Sequence, residues 1–182
     1  MSLPAPTESA LRELARDMKA AALLEGDFVL RSGRRSRYYF DKYLFECDPG
    51  ILRRLGTALA ALVPEGTQRL ACPELGAVLL GGAVSMETGL PMCIVRKETK
   101  EYGTSKAIEG RLEKDEAICL VEDVLTTGGA ALAAAEKVRA AGGRIVGLVG
   151  VLDREEGAGE ALAAAGIPFH PLLRRADVIP TE

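Results

Sequence analysis

The run Ala117-Ile118-Cys119-Leu120-Val121 is apolar at every position and stops abruptly at Glu122-Asp123. A strand with two apolar faces must be covered on both sides, which points to a parallel sheet packed between helices. The rest of the chain supplies partners of the same kind. Leu70-Ala71-Cys72, Met92 to Val95 and Ile145 to Leu152 are further strand candidates, and Ile167-Pro168-Phe169 leads into a last one. Helical stretches alternate with them: Ala77 to Met86, Ala130 to Ala141 closed by Gly142-Gly143, and Gly159 to Ala165. That alternation predicts an α/β fold with a mainly parallel, twisted sheet flanked by helices.

The amino-terminal third reads differently. Leu11, Leu14, Met18, Ala22 and Leu23 recur at helical spacing within Glu8 to Leu24, an amphipathic helix. Phe28-Val29-Leu30 and Tyr38-Tyr39-Phe40 flank Ser32-Gly33-Arg34-Arg35, the pattern of a small hairpin with a basic turn. Asp48-Pro49 is a capping residue followed by proline at the first helical position, and the periodicity runs from Ile51 to Val63. Arg96 to Glu116 is long, charged and nearly without apolar periodicity, as binding loops and lids are.

A chain of 182 residues fits one domain, able to bury roughly 70% of its unfolded surface. With 23 basic and 26 acidic residues its formal charge is −3, which weighs against a nucleic-acid partner. The single histidine, His170, and the scattered Cys47, Cys72, Cys93 and Cys119 form no metal-ligand pattern, so buried free thiols are expected. There is no run of 18 apolar residues and no basic-then-apolar leader after Met1-Ser2-Leu3-Pro4, so a cytoplasmic protein without a membrane partner is expected.

The strand at Ala117 should deliver Glu122 and Asp123 to its carboxyl end, where open α/β sheets hold their ligands. Thr126-Thr127-Gly128-Gly129 follows, and then a helix. Glycines let backbone N–H groups converge, threonine hydroxyls add donors, and a helix N-terminus favours a phosphate. The two acids just ahead can accept hydrogen bonds from vicinal hydroxyls. A phosphate cradle beside hydroxyl acceptors matches a ribose-5-phosphate. A purely capping role for the acids leaves the paired threonines unexplained. Neither G-x-x-x-x-G-K-[ST] nor a post-strand G-x-G-x-x-G is present, so the usual nucleotide loops are excluded.

The segment Val121 to Gly129 resembles the phosphoribosyl-pyrophosphate (PRPP) motif of type I phosphoribosyltransferases. Three further segments resemble the orotate phosphoribosyltransferases in particular: Phe28 to Ser36 leading to Tyr38-Tyr39-Phe40, Arg96 to Gly103, and Leu152-Asp153-Arg154-Glu155. Together they run from about Phe28 to Glu155. The resemblance implies the type I fold on a single domain over 1–182. It would comprise an amino-terminal helix and hood at about 1–45, and a PRPP-binding core at about 46–182 with a mobile loop at 97–112. It implies PRPP contacts from Glu122, Asp123, Val124, Leu125, Thr126, Thr127, Gly128, Gly129 and Ala130, with Arg96, Lys97 and Lys100 on the pyrophosphate and Tyr102 among the catalytic group. For orotate it implies Thr126, Arg154, Arg31, Tyr39 and Phe40, an arginine fork being suited to a planar carboxylate.

It further implies Mg²⁺ held mainly by substrate oxygens, with Glu122 and Asp123 reaching it through water, and a homodimer whose loop enters the neighbouring site. There are departures. Tyr102 stands where many bacterial members have histidine, Arg31 where lysine is usual, Arg37 where proline is common, and Leu75-Gly76 where some have an aromatic–lysine pair. The Cys72-to-Ala77 loop is therefore expected to offer backbone N–H groups only. A purine phosphoribosyltransferase would share the Glu122-to-Gly129 segment without needing Arg154 or Arg31. A PRPP-sensing regulator of nucleic acid would need a basic face, which the net charge disfavours.

Overall fold

The computed structural model describes residues 4–29, 33, 35–97 and 107–178. Helix α1 (Glu8–Ala22) starts at Thr7, whose hydroxyl accepts the Ala10 N–H at 3.2 Å. The sequence places Leu23 and Leu24 in this helix; they instead open strand β1 (Leu23–Val29), because Leu23 and Leu24 register against Phe40 and Tyr39 of β2 (Arg35–Phe40). The two strands form a separate antiparallel sheet. Next comes α2 (Lys42–Glu46), a short helix that periodicity cannot reveal, capped by Asp41 accepting from Tyr43 N–H at 3.1 Å. Helix α3 (Pro49–Ala60) begins as the sequence indicates, Asp48 accepting from Gly50 and Ile51 N–H at 2.8 and 2.9 Å.

The main sheet takes β3 (Arg69–Pro73), β4 (Met92–Val95), β5 (Ile108–Glu109), β6 (Ala117–Leu125), β7 (Arg144–Asp153) and β8 (Phe169–Arg174). Their order is β5-β4-β3-β6-β7-β8, parallel throughout except for β5. Helices α4 (Gly76–Thr88), α5 (Gly129–Ala140), α6 (Ala158–Ala164) and α7 (Arg175–Val178) complete the described chain. Successive residues of β6 feed opposite cores. Cys119 and Val121 pack with α1, α3 and α4 residues, while Ile118 and Leu120 pack with α5 and α6 residues. That is the two-sided burial its apolar run requires.

Strand β6 outlasts the apolar run because β7 keeps pairing with it, Glu122 against Gly150 and Leu125 against Asp153. The charged segment after β4 contributes a short strand. Ile108, buried, pairs with Val95 to make β5, and the Arg69–Glu116 ion pair at 2.9 Å pins the far end beside β3. Cys72, Cys93 and Cys119 are buried thiols, and burial pushes the pKa of each up; Cys47 is exposed. Among the described residues, no helix is long and apolar enough to cross a membrane.

Candidate active site

From β3 the chain moves outward to β4 and then returns through β6 on the other flank of β3. The connections diverge at that point, and a crevice opens beyond the carboxyl ends of β3 and β6. A cavity of about 180 Å³ lies there, lined by Lys42, Pro73, Glu74, Gly76, Ala77 and residues 122–131. A wider groove of about 830 Å³ beside α6 and β8 contains none of the predicted site residues.

Glu122 and Asp123 are both buried at the end of β6. Asp123 is the better satisfied: Lys42 Nζ donates to its Oδ2, and the Val124 N–H donates to its Oδ1. Glu122 Oε1 is buried with no hydrogen-bond partner. Burial pushes the Glu122 carboxyl up to about 8, and the charge on Asp123 adds to the effect. Lys42 is held above its usual value: desolvation works against the ammonium, but Asp123 more than offsets it. The close packing depends on Gly76 at the head of α4, because a Cβ there would fall 1.6 Å from Asp123 Oδ2 and 2.6 Å from Lys42 Nζ. The peptide between Glu74 and Leu75, just before it, is cis.

Thr126 and Thr127 lead to Gly128, whose φ of 79° turns the chain into α5. No side chain caps that helix, so its first N–H groups are available to an anion in the cavity they line. The Leu125 and Thr126 carbonyls accept from Arg154 N–H at 2.9 Å and Ala158 N–H at 3.0 Å, stitching the loop to the turn after β7. Arg154 is thereby set beside Thr126. Its Nη2 meets Glu156 at 2.9 Å, and its Nε is buried without a partner.

The hairpin residues face opposite ways. The exposed Tyr39 ring meets Phe28 at 5.6 Å, while the Phe40 ring turns inward against Phe45 at 5.7 Å. Arg31 lies outside the described residues, as do Lys100 and Tyr102. Arg96 and Lys97 sit at the start of the charged segment, where Arg96 pairs with Glu109 at 3.3 Å. Two neighbours grip their backbone. Lys137 Nζ of α5 donates to both carbonyls, at 2.6 and 2.8 Å, and Glu74 Oε1 accepts the Lys97 N–H at 2.6 Å. Glu74 thus brings a side chain to a loop from which only backbone donors are expected.

Sequence reasoning missed Lys42, Glu46, Glu74 and Lys137. Lys42 lies 81 positions from Asp123, and no local pattern links them. The signal that was available is small: Asp41 can cap a helix on which Lys42 and Glu46 share a face. Glu46 is fully buried against the Asp123 carboxyl with no N–H donor on its oxygens, and burial and then Asp123 push its pKa up to about 8. Among the described residues, no three histidine, cysteine or acidic side chains converge on a metal-sized site. The orphaned Glu122 Oε1 is nevertheless an acceptor suited to a sugar hydroxyl or to a water on a hard cation.

Residues 54–165 match the family described as the phosphoribosyl transferase domain. The chain is 43% identical over 168 residues to an orotate phosphoribosyltransferase of Methanocella arvoryzae, covering 92% of this chain and 96% of that one. It is 42% identical to the enzyme of that name from Halobacterium salinarum, over 96% and 99% of the two chains. Among solved structures, Mycobacterium tuberculosis orotate phosphoribosyltransferase in complex with PRPP superposes with a TM-score of 0.81. The two are 29% identical, with 93% of this chain and 98% of that one covered.

Proposed function

Since the chain belongs to the orotate phosphoribosyltransferases of the type I phosphoribosyltransferase fold, we propose that it joins orotate to the ribose-5-phosphate of PRPP. The products are orotidine 5′-phosphate and pyrophosphate, a step of pyrimidine (UMP) synthesis. The observation that carries this reading is a single cavity combining buried acids, Glu122 and Asp123, with an uncapped helix N-terminus at Gly128 and an adjacent arginine, Arg154.

In this reading the 5′-phosphate lies against Thr126, Thr127, Gly128, Gly129 and Ala130, with Val124 and Leu125 in contact from the strand end. Glu122 and Asp123 accept from the ribose hydroxyls. Orotate rests between Thr126 and the Arg154 guanidinium, whose unpartnered Nε supports a two-pronged grip on the carboxylate. Arg31, Tyr39 and Phe40 close the base side as a hood, Phe40 through its backbone because its ring packs inward. The reaction centre becomes cationic as pyrophosphate leaves, so catalysis rests on positioning and on charge stabilisation. Arg96, Lys97 and Lys100 meet the leaving charge, with Tyr102 donating to a phosphate oxygen.

The cofactor in this reading is Mg²⁺, which Glu122 and Asp123 would reach through water while substrate oxygens supply its main ligands, neutralising charge on the leaving group. A cytoplasmic homodimer completes the proposal. Exposed apolar side chains on α4, Leu79 and Met86, with Leu75 at its N-cap, support the second copy. Arg154→Ala tests the base site: a raised KM for orotate is expected, and an unaltered value would remove Arg154 from it.

A further inference from the structure

In the wall of the cavity one ammonium, Lys42, sits among three buried carboxyls: Asp123 and Glu122, which line it, and Glu46, which does not. Lys42 gives its hydrogen bond to Asp123 and is one-third exposed, so its flexible stem has room to move. Glu46 lies one helical turn further along α2, on the same face. It is 0% exposed and is the only fully buried carboxyl among the described residues; no N–H donor reaches its oxygens, and the Asp123 carboxyl lies against it. A buried acid set against another acid costs stability unless a cation or N–H donor reaches it.

The donor sugar and Lys42 make the same demand. Ribose hydroxyls donating to Asp123, as proposed above, join the Lys42 ammonium on Oδ2 and the Val124 N–H on Oδ1, and Gly76 packs close against the carboxylate. Each added donor weakens the hold of Asp123 on the ammonium, which then gains from a second acceptor within the pocket. Glu46 is placed to receive it.

We infer that Glu46 is a positioning residue of the donor site, accepting Lys42 when the ribose of PRPP claims Asp123. This rests on the donor reading of the cavity. Glu46 touches no reacting atom; it lowers the cost of freeing Asp123, so its effect belongs to PRPP affinity and leaves the orotate side untouched.

The test is titration calorimetry with PRPP and Mg²⁺ on wild type, Glu46→Gln, Glu46→Asp and Lys42→Met, with the double variant K42M/E46Q, alongside steady-state kinetics. Glu46→Gln is expected to keep or raise Tm, because it removes a carboxyl whose charged form burial disfavours. It should nonetheless weaken PRPP binding about tenfold, the size of a coupling within one charged network. KM for PRPP should follow, and KM for orotate should stay within about twofold. Glu46→Asp keeps the carboxyl group and should retain most of the affinity. Without Lys42, the Glu46→Gln effect should vanish.

A Glu46→Gln protein that gains Tm and binds PRPP like wild type would overturn the inference, leaving Glu46 a cost of burial only. So would a loss that persists in the Lys42→Met background. If Lys42→Met does not fold, the contrast between Glu46→Gln and Glu46→Asp decides. Wild type that fails to bind PRPP would refute the donor reading itself; wild type that binds, with an indifferent Glu46→Gln, refutes only this step.

Discussion

At the scale of single residues, the site is governed by how little room Asp123 has. Its carboxylate is held by Lys42 from one side and by the Val124 N–H from another, and it abuts Gly76 Cα. Any side chain at position 76 must displace it. Gly76→Ala is therefore expected to raise the KM for PRPP by about tenfold or more, as when a charged hydrogen bond is lost, with the fold retained by circular dichroism. An unchanged KM would mean that Asp123 does not meet the donor. The sequence names Glu122 and Asp123 outright, since two acids at the end of an apolar strand need partners. It is silent about the partners. Lys42 and Glu46 reach the acids through tertiary packing of a five-residue helix, which leaves no periodic trace.

At the scale of elements, the legible parts are those whose residues answer to one local rule. The α3 start follows from Asp48-Pro49, and β4 spans Met92–Val95 as its apolar run indicates. The parts that escape are set by distant neighbours: β5 exists because Val95 offers Ile108 a partner, and β6 extends to Leu125 because β7 does. Helix α5 joins two jobs. Its first turn faces the cavity, and two turns on Lys137 holds the Arg96 and Lys97 carbonyls. Lys137→Met is expected to lower kcat about tenfold, because the stem carrying those cations loses a charged double hydrogen bond. Steady-state kinetics at saturating PRPP and orotate would check it, and an unaltered kcat would separate Lys137 from catalysis.

At the scale of the whole molecule, the parallel sheet fixes the crevice and the amino-terminal hairpin and α2 bring Lys42 to it. Leu75, Leu79 and Met86 are exposed, as are Tyr43 and Leu44 of α2, and the proposed second copy would cover such apolar side chains. Light scattering is expected to give a dimer mass for the wild type and a monomer mass for Leu79→Asp; a wild-type monomer would remove the shared-site part of the proposal. The central claim is that the acidic cavity takes PRPP and that orotate, held by Arg154, is the acceptor. Incubating the protein with PRPP, Mg²⁺ and orotate, adenine, hypoxanthine, guanine or uracil in parallel tests it directly. Consumption of orotate alone, with pyrophosphate released in equal amount, is the expected result; turnover of a purine with orotate untouched would contradict it.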